Sequence, residues 1–288
     1  MFDFLNIKKE SYSSKIKFYY LNDIDLNLVN EMIDILVYNK KIENYDKQLL
    51  KKRENNNEVI KLKNNKTYYV KTYHPFRKKK LIKNLFRPTE AVRHLTKTKM
   101  LKNRSIPIFD PICAVTIKKS FFSYKSIFIT EAIPGITLDF FLKNHFDYNI
   151  YKKNKIFIKL ADIWNKLIKN DFMHKDPNTP NFIINKDENF NISLIDVDNI
   201  YKWPILPLKL QAKSLSDFIY LTLYSLKEEH RNLFNIKDFL EYSLINHKSK
   251  YQKKIIEYIN VELINVIDEN NTYFLRKHNY YINELFEF

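Results

Sequence analysis

Apolar and polar positions change period along this chain, and each change predicts a different kind of element. Between Asp25 and Tyr38, Leu26, Val29, Ile33, Leu36 and Val37 recur at helical spacing. That predicts one amphipathic helix, with Asp23 or Asp25 as its N-cap. From Lys47 the pattern shortens. Leu49-Leu50, Val59 to Leu62 and Thr67 to Tyr73 read as three strands. Asn64-Asn65 makes the second connection, since Asn tolerates the left-handed region. A helix opens at Pro88-Thr89-Glu90, with Leu95 and Met100 inward, and Ile106 to Pro111 ends it. Strands at Ile112 to Ile117 and Ser126 to Glu131 follow, joined by a hairpin around Lys118 to Tyr124. Pro134-Gly135 then suits a type II turn, and the remainder is helical. Thr137 to His145 makes a short helix capped by Thr137. Lys152 to Asn170 carries Ile156, Leu160, Ile163, Trp164 and Leu167 on one core stripe. Lys213 to Leu226 is strongly apolar, and residues 236 to 288 add two or three more helices. Strands first and helices after predict an α+β chain. Its expected parts are an N-terminal helical extension (1–45), a small antiparallel β-rich lobe (46–133) and a helical lobe (134–288).

Candidate chemistry concentrates between the fourth and fifth of these blocks. His174 to Asn181 reads H-x-D-x-x-x-x-N. The strand Phe182 to Ile184, a turn at Asn185 to Asn189, a second strand and Ile195-Asp196 come next. Phosphoryl-transfer enzymes of the two-lobe protein-kinase-like fold use that order. One loop aspartate takes the acceptor's proton, an asparagine five residues on holds a metal, and a later aspartate bridges metal to phosphates. Asp176 is then the catalytic base, and Asn181 and Asp196 the metal ligands. A polar hairpin in an Asn- and Asp-rich chain would carry the same letters, so context has to support the motif. Lys71 supplies some of it, lying in the third strand where such a fold puts its α,β-phosphate lysine. Glu90 is the candidate carboxylate to pair with Lys71, and is equally placed to complement a helix dipole. The backbone from Glu131 to Ile133 lies where an adenine would hydrogen-bond. His174 is read as a brace for the loop, and Asp217 as a group that bonds back to the loop's backbone.

Composition narrows the field. Hydrophobic residues make up 45% of the 288 and charged residues 28%, and no apolar run reaches the ~18 to 20 residues of a membrane-spanning helix. The single cysteine, Cys113, cannot form an internal disulfide, and its apolar neighbours make it a buried structural thiol. A formal charge of +16 favours an anionic partner. The basic positions His74, Arg77, Lys78, Lys79, Lys80, Lys83 and Arg87, interleaved with Phe76, Leu81, Ile82, Leu85 and Phe86, could lie against an anionic membrane leaflet. Gly135 is the only glycine. The first strand connection, Arg53 to Asn57, therefore replaces a glycine-rich phosphate loop with asparagines, which hold the backbone farther from phosphate.

With both halves placed, the chain resembles the lipopolysaccharide core kinases, the bacterial sugar kinases of kinase-like fold, and most of all the heptose II kinases. Tyr69 to Pro75 with Lys78-Lys79-Lys80, Lys83 to Phe86, Ser126 to Leu138, and Asp176-Pro177 through Asn181-Phe182-Ile183-Ile184 to Asp196 carry the likeness. The resemblance implies ATP and Mg²⁺ as cofactors and Asp176 as base toward a sugar hydroxyl. It implies Asn181 and Asp196 as Mg²⁺ ligands and Lys71 as the phosphate-binding lysine, with Glu90 beside it. A lipid A-core precursor would be the acceptor, met by a cytoplasmic protein at the inner face of the membrane. The chain departs from the kinase pattern at Lys175, where related loops often have a small residue, and at Asp198, where protein kinases have glycine. It has no Ala-Pro-Glu segment, and Tyr201 to Leu210 is short for an activation loop. Both features argue against a protein substrate. Two other readings share these residues: a kinase-like binding protein without turnover, and a RIO-like kinase. Nucleic acid is the less favoured partner.

Overall fold

The computed structural model describes residues 6–21, 24–52, 58–74, 87–120, 123–149, 155–186 and 189–269. The Arg53 to Asn57 connection, most of the basic run (75–86) and the middle of the Asn185 to Asn189 turn lie outside them. The chain divides into two compact units, Met1–Asn103 with Ile108–Ile133, and Arg104–Pro107 with Pro134–Phe288.

The first unit is built on one antiparallel sheet of seven strands in the order β1-β2-β6-β7-β5-β4-β3. These are β1 (Ile7–Ser13), β2 (Ile16–Leu21), β3 (Asp46–Lys52), β4 (Glu58–Lys63), β5 (Thr67–Tyr73), β6 (Pro111–Lys118) and β7 (Tyr124–Glu131). The expected N-terminal helix is α1 (Leu26–Val37), and Asp25 is its N-cap, accepting from the Asn27 N–H at 2.9 Å. The hairpin β1–β2 was not anticipated. Ile16, Phe18 and Tyr20 alternate inward along β2 and join α1 and the inner positions of β4 to β7 in one core. Val29, Met32 and Ile33 of α1 are fully buried there. Two polar ties fix α1 in place: Tyr12 Oη donates to Asp34 at 2.7 Å and Tyr45 Oη to Glu31 at 2.9 Å.

Side chains alternate across a strand, so the opposite face of this sheet carries the other residues of each strand. There α2 (Glu90–Lys102) packs on β6 and β7. Thr89 Oγ1 is 2.9 Å from Thr116 Oγ1, and His94 meets the Phe128 ring edge-on at 5.8 Å. Leu95 faces inward as its spacing predicts, but Leu101 and not Met100 is the buried residue of the last turn. Cys113 is fully buried, and burial pushes its thiol pKa up to about 12, so it packs and does not react.

The second unit is mainly helical: α3 (Leu138–Asn144), α4 (Ile156–Lys169), α5 (Leu208–Ser225), α6 (Ile236–Leu244) and α7 (Ser249–Glu269). Two small antiparallel sheets accompany them, β11-β10-β8 and β12-β9. Their strands are β8 (Ile136–Thr137), β9 (Phe172–His174), β10 (Phe182–Asn185), β11 (Asn191–Leu194) and β12 (Ile200–Lys202). Trp164 of α4, Phe182 of β10 and Phe239 of α6 surround Phe218 of α5, with ring centroids 5.3 to 5.8 Å apart. Helix α5 starts five residues before the expected Lys213, at Leu208. Thr137 is the N-cap of α3, but its side chain makes no capping bond.

Gly135 departs from the expected turn. Its φ of +136° is far from the roughly +80° of a type II turn. What requires glycine is close approach. Ile136 and Thr137 pair with Ile184 and Ile183, and a Cβ on Gly135 would lie 2.4 Å from the Ile184 carbonyl oxygen.

Candidate active site

Asp176 leaves the end of β9 on a loop that closes with a short 3₁₀ turn, Thr179–Asn181, and runs directly into β10. Three kinds of bond set its position. Its own carbonyl accepts from Asn181 Nδ2 at 3.0 Å. One carboxylate oxygen accepts from Asn178 Nδ2, and the other from Asn199 Nδ2 at 3.2 Å. Two neutral amides thus clamp the carboxylate from both sides, which orients it without adding a countercharge.

The neighbouring residues are fixed by backbone. Asn181 N–H donates to Asn178 C=O and Ile195 N–H to Asn181 C=O, each at 2.9 Å, so the asparagine and the segment before Asp196 are tied together. Asp196 Oδ1 accepts from Asp198 N–H at 3.0 Å. Lys175 N–H donates to Asn199 C=O at 2.8 Å, so Asn199 braces the loop through both amide and carbonyl. Asp176, Asn181 and Asp196, three positions picked out by spacing, are therefore drawn into one constellation. Asn178 and Asn199 were not picked out. Asn178 sits two residues after Asp176, a spacing at which a side-chain bond could have been expected. Nothing in the sequence singles out Asn199.

Helix α5 is the floor under this loop. Ser214 Oγ donates to the His174 carbonyl at 2.6 Å, and Thr179 Oγ1 lies 3.0 Å from Ser225 Oγ. The bond back to the loop backbone expected of Asp217 is thus made by Ser214, one turn earlier on the same helix. Asp217 has its carboxyl pushed above the usual range, chiefly by burial, with Glu262 and Asp176 adding to it and Lys213 opposing. His174 is fully buried between the Trp164 and Phe182 rings, as a brace should be.

Lys71, Glu90, Glu131 and Ile133 lie in the first unit. Lys71 pairs in register with Phe128, and Tyr73, on the same face of β5, bonds His94 Nδ1 at 2.8 Å. Lys71 therefore points to the face of the sheet that α2 covers. Ala91 N–H reaches Ser126 Oγ at 3.4 Å, and Ser126 pairs with Tyr73. His94, which Tyr73 bonds, also packs edge-on against Phe128, the residue paired with Lys71, and Glu90 in the first turn of α2 is approached by Arg93 at 3.4 Å. In the connector, Glu131 N–H donates to Asp110 C=O and Ala132 N–H to Thr67 C=O, both at 2.9 Å. Ile133 N–H donates to no group among the described residues. The Glu131 side chain is engaged by Lys66 at 2.8 Å.

The residues fit a hard divalent cation. Anchoring Nδ2 of Asn181 leaves its amide oxygen as the donor, and Asp196 adds a carboxylate, an all-oxygen pair of the kind Mg²⁺ takes together with phosphate oxygens. Among the described residues there is no group of three His, Cys, Asp or Glu that could hold a metal.

An antiparallel sheet with α2 packed on one face, and a helical unit carrying an aspartate loop and a β-hairpin, make up the elements of a protein-kinase-like fold. A solved structure titled "WaaP in complex with acyl carrier protein" matches with a TM-score of 0.55 and 14% identity, over 83% of this chain and 89% of the other. None of the curated proteins compared matches the sequence. The model of the lipopolysaccharide kinase (Kdo/WaaP) family matches residues 47–217, more than half of the chain, and the chain belongs to that family. It is an ATP-dependent kinase that phosphorylates a sugar hydroxyl of the lipopolysaccharide core.

Proposed function

We propose that the acceptor is a heptose of the inner core and that Asp176 takes the proton from its reacting hydroxyl. The clamp of Asn178 and Asn199 on the Asp176 carboxylate is the observation that carries this reading, because a base must be aimed before its basicity matters. As the hydroxyl oxygen bonds to the γ-phosphorus, its proton passes to Asp176, the bond from that phosphorus to the bridging oxygen breaks, and ADP leaves. Asn181 and Asp196 are the residues to hold Mg²⁺, which when bound would offset charge on the transferring phosphates. Lys71 holds the α- and β-phosphates. Glu90 steadies Lys71 from the start of α2, which packs on the sheet face that Lys71 shares. The connector from Glu131 to Ile133 takes the adenine edge, supported by the uncommitted Ile133 N–H. The +16 charge supports approach to an acceptor that already carries phosphate and carboxylate groups, at an anionic leaflet. Among the described residues no helix is long and apolar enough to cross a membrane, which accords with peripheral contact.

The test is phosphate transfer to purified core oligosaccharide, followed by mass spectrometry. Asp176→Ala should lower transfer by at least about 100-fold, the lower end of general base contributions, while ATP binding persists. Transfer near the wild-type rate would rule the role out, and a phosphate on Kdo in place of heptose would correct the acceptor.

A further inference from the structure

The stretch from Tyr201 to Pro207, too short for an activation loop, carries the chain from β12 into α5 and puts large apolar side chains into solvent. Tyr201 is 45% exposed, Trp203 37% and Ile205 81%. Single exposed apolar residues are ordinary, but three within five residues form a patch, and such patches mark interaction sites. The loop is held in place. Leu206 is buried, its N–H donates to Asp171 Oδ1 at 3.0 Å and its carbonyl accepts from Gln211 Nε2 at 2.9 Å. The Trp203 N–H donates to the Asp171 carbonyl at 2.9 Å. Pro204 and Pro207 stiffen the backbone around Ile205.

Strand register gives the direction of the side chains. Ile200 pairs with His174 and Lys202 with Phe172, and paired residues share one face of the ribbon. Ile200 and His174 are buried, and Lys202 Nζ lies 5.5 Å from the centre of the Phe172 ring, so this face turns toward the protein. Tyr201 and Trp203 alternate to the other face. Lys175 follows the buried His174, is exposed, and is tied to Asn199 through its N–H at 2.8 Å, so it too turns outward. Charge agrees with this placement. No Asp or Glu stands between Asp198 and Asp217, against three lysines. Asp171, the carboxylate that braces the loop, is paired with Lys202 at 3.3 Å. The stripe also begins beside the base. Tyr201 stands two residues from Asn199, which holds Asp176, about 7 Å along the strand.

We propose that this stripe seats the second unit on an anionic lipid surface, with Tyr201 and Trp203 at headgroup depth and Ile205 among the first acyl carbons. Tyr and Trp favour that depth because their rings are amphipathic. A lysine beside them is drawn to lipid phosphate, and Ile205 gains by leaving water. Docked in this way, the protein meets a lipid-borne sugar at the end of the ribbon that carries Asp176. The docking rests on the lipid A-core acceptor and the anionic leaflet proposed above.

The two tryptophans make a direct test. Trp164 is 1% exposed in the core, so lipid can reach only Trp203. Vesicles of phosphatidylethanolamine and phosphatidylglycerol with brominated acyl chains should blue-shift and quench Trp203 emission in the full chain, with neither ATP nor acceptor present. Phosphatidylcholine vesicles should bind about fivefold more weakly, the loss of one lysine contact. Ile205→Glu alters a position that is 81% exposed, so the fold is not at risk. It should weaken vesicle binding about tenfold and lower transfer to a vesicle-embedded acceptor by the same factor, with kcat/KM on delipidated core oligosaccharide unchanged. Vesicle binding without quenching, equal binding to phosphatidylcholine, or no binding at all overturns the docking. So does a dimer that Ile205→Glu dissociates, which would make the patch a contact between copies. Failure of the wild type to phosphorylate core oligosaccharide counts against the acceptor alone, because quenching needs no acceptor.

Discussion

Asn199 supports the base proposed at Asp176 from a position remote in sequence. Its side-chain amide holds one oxygen of Asp176 and its main-chain carbonyl holds the Lys175 N–H, so one residue sets both the carboxylate and the loop that carries it. Asn199→Ala removes one hydrogen bond to a carboxylate, worth about 1.5 kcal/mol. A kcat lowered roughly tenfold, with KM for ATP unchanged, is the expected result. Asn199→Asp should be worse, because it sets a second carboxylate against the first. Single-turnover transfer by both variants checks the order; an Asp variant as active as wild type would show that the clamp is ornamental. Sequence singled out Asp176 and Asn181 by their spacing within one loop, and Asp196 by the hairpin that precedes it. Asn199 was invisible because its contact spans 23 residues, a separation fixed only when β12 pairs with β9.

At the scale of elements, Gly135 joins the connector to the small sheet of the second unit. A side chain there collides with the backbone of β10 and also demands a conformation that L-residues rarely adopt. Gly135→Ala should cost about 1–3 kcal/mol from backbone strain, and more from the displaced β8–β10 pairing. The readouts are the midpoint of thermal unfolding and amide exchange at Ile183 and Ile184; an unshifted midpoint would mean the strand moves aside freely. The expected special role of this glycine was correct, but the expected reason was not, since a local turn rule cannot see a strand 48 residues away arriving at the same place. The long helices and central strands were legible because their apolar period runs over many residues. Hairpin β1–β2 was not, because β1 is nearly all polar and exposed, and only Ile16, Phe18 and Tyr20 alternate.

For the whole molecule, stability should carry a signature of Asp217. Burial raises its folded-state pKa above the unfolded value of about 3.9. The folded state therefore binds this proton more tightly, and stability falls as pH climbs from about 4 through the raised pKa. Asp217→Asn never ionises and escapes that loss. The variant should melt higher than wild type at neutral pH, with the gap closing below about pH 4, by calorimetric scans across that range. A gap independent of pH would point to packing instead. Ser214 in the middle of the same helix and Ser225 at its end hold the catalytic loop at His174 and Thr179. Phe218 of that helix stands at the centre of the aromatic core, so the loop is tied to the most deeply packed helix of its unit. Loosening the loop means breaking its two bonds to α5, so buried substitutions that destabilise α5, far from any substrate, should lower activity in step with stability.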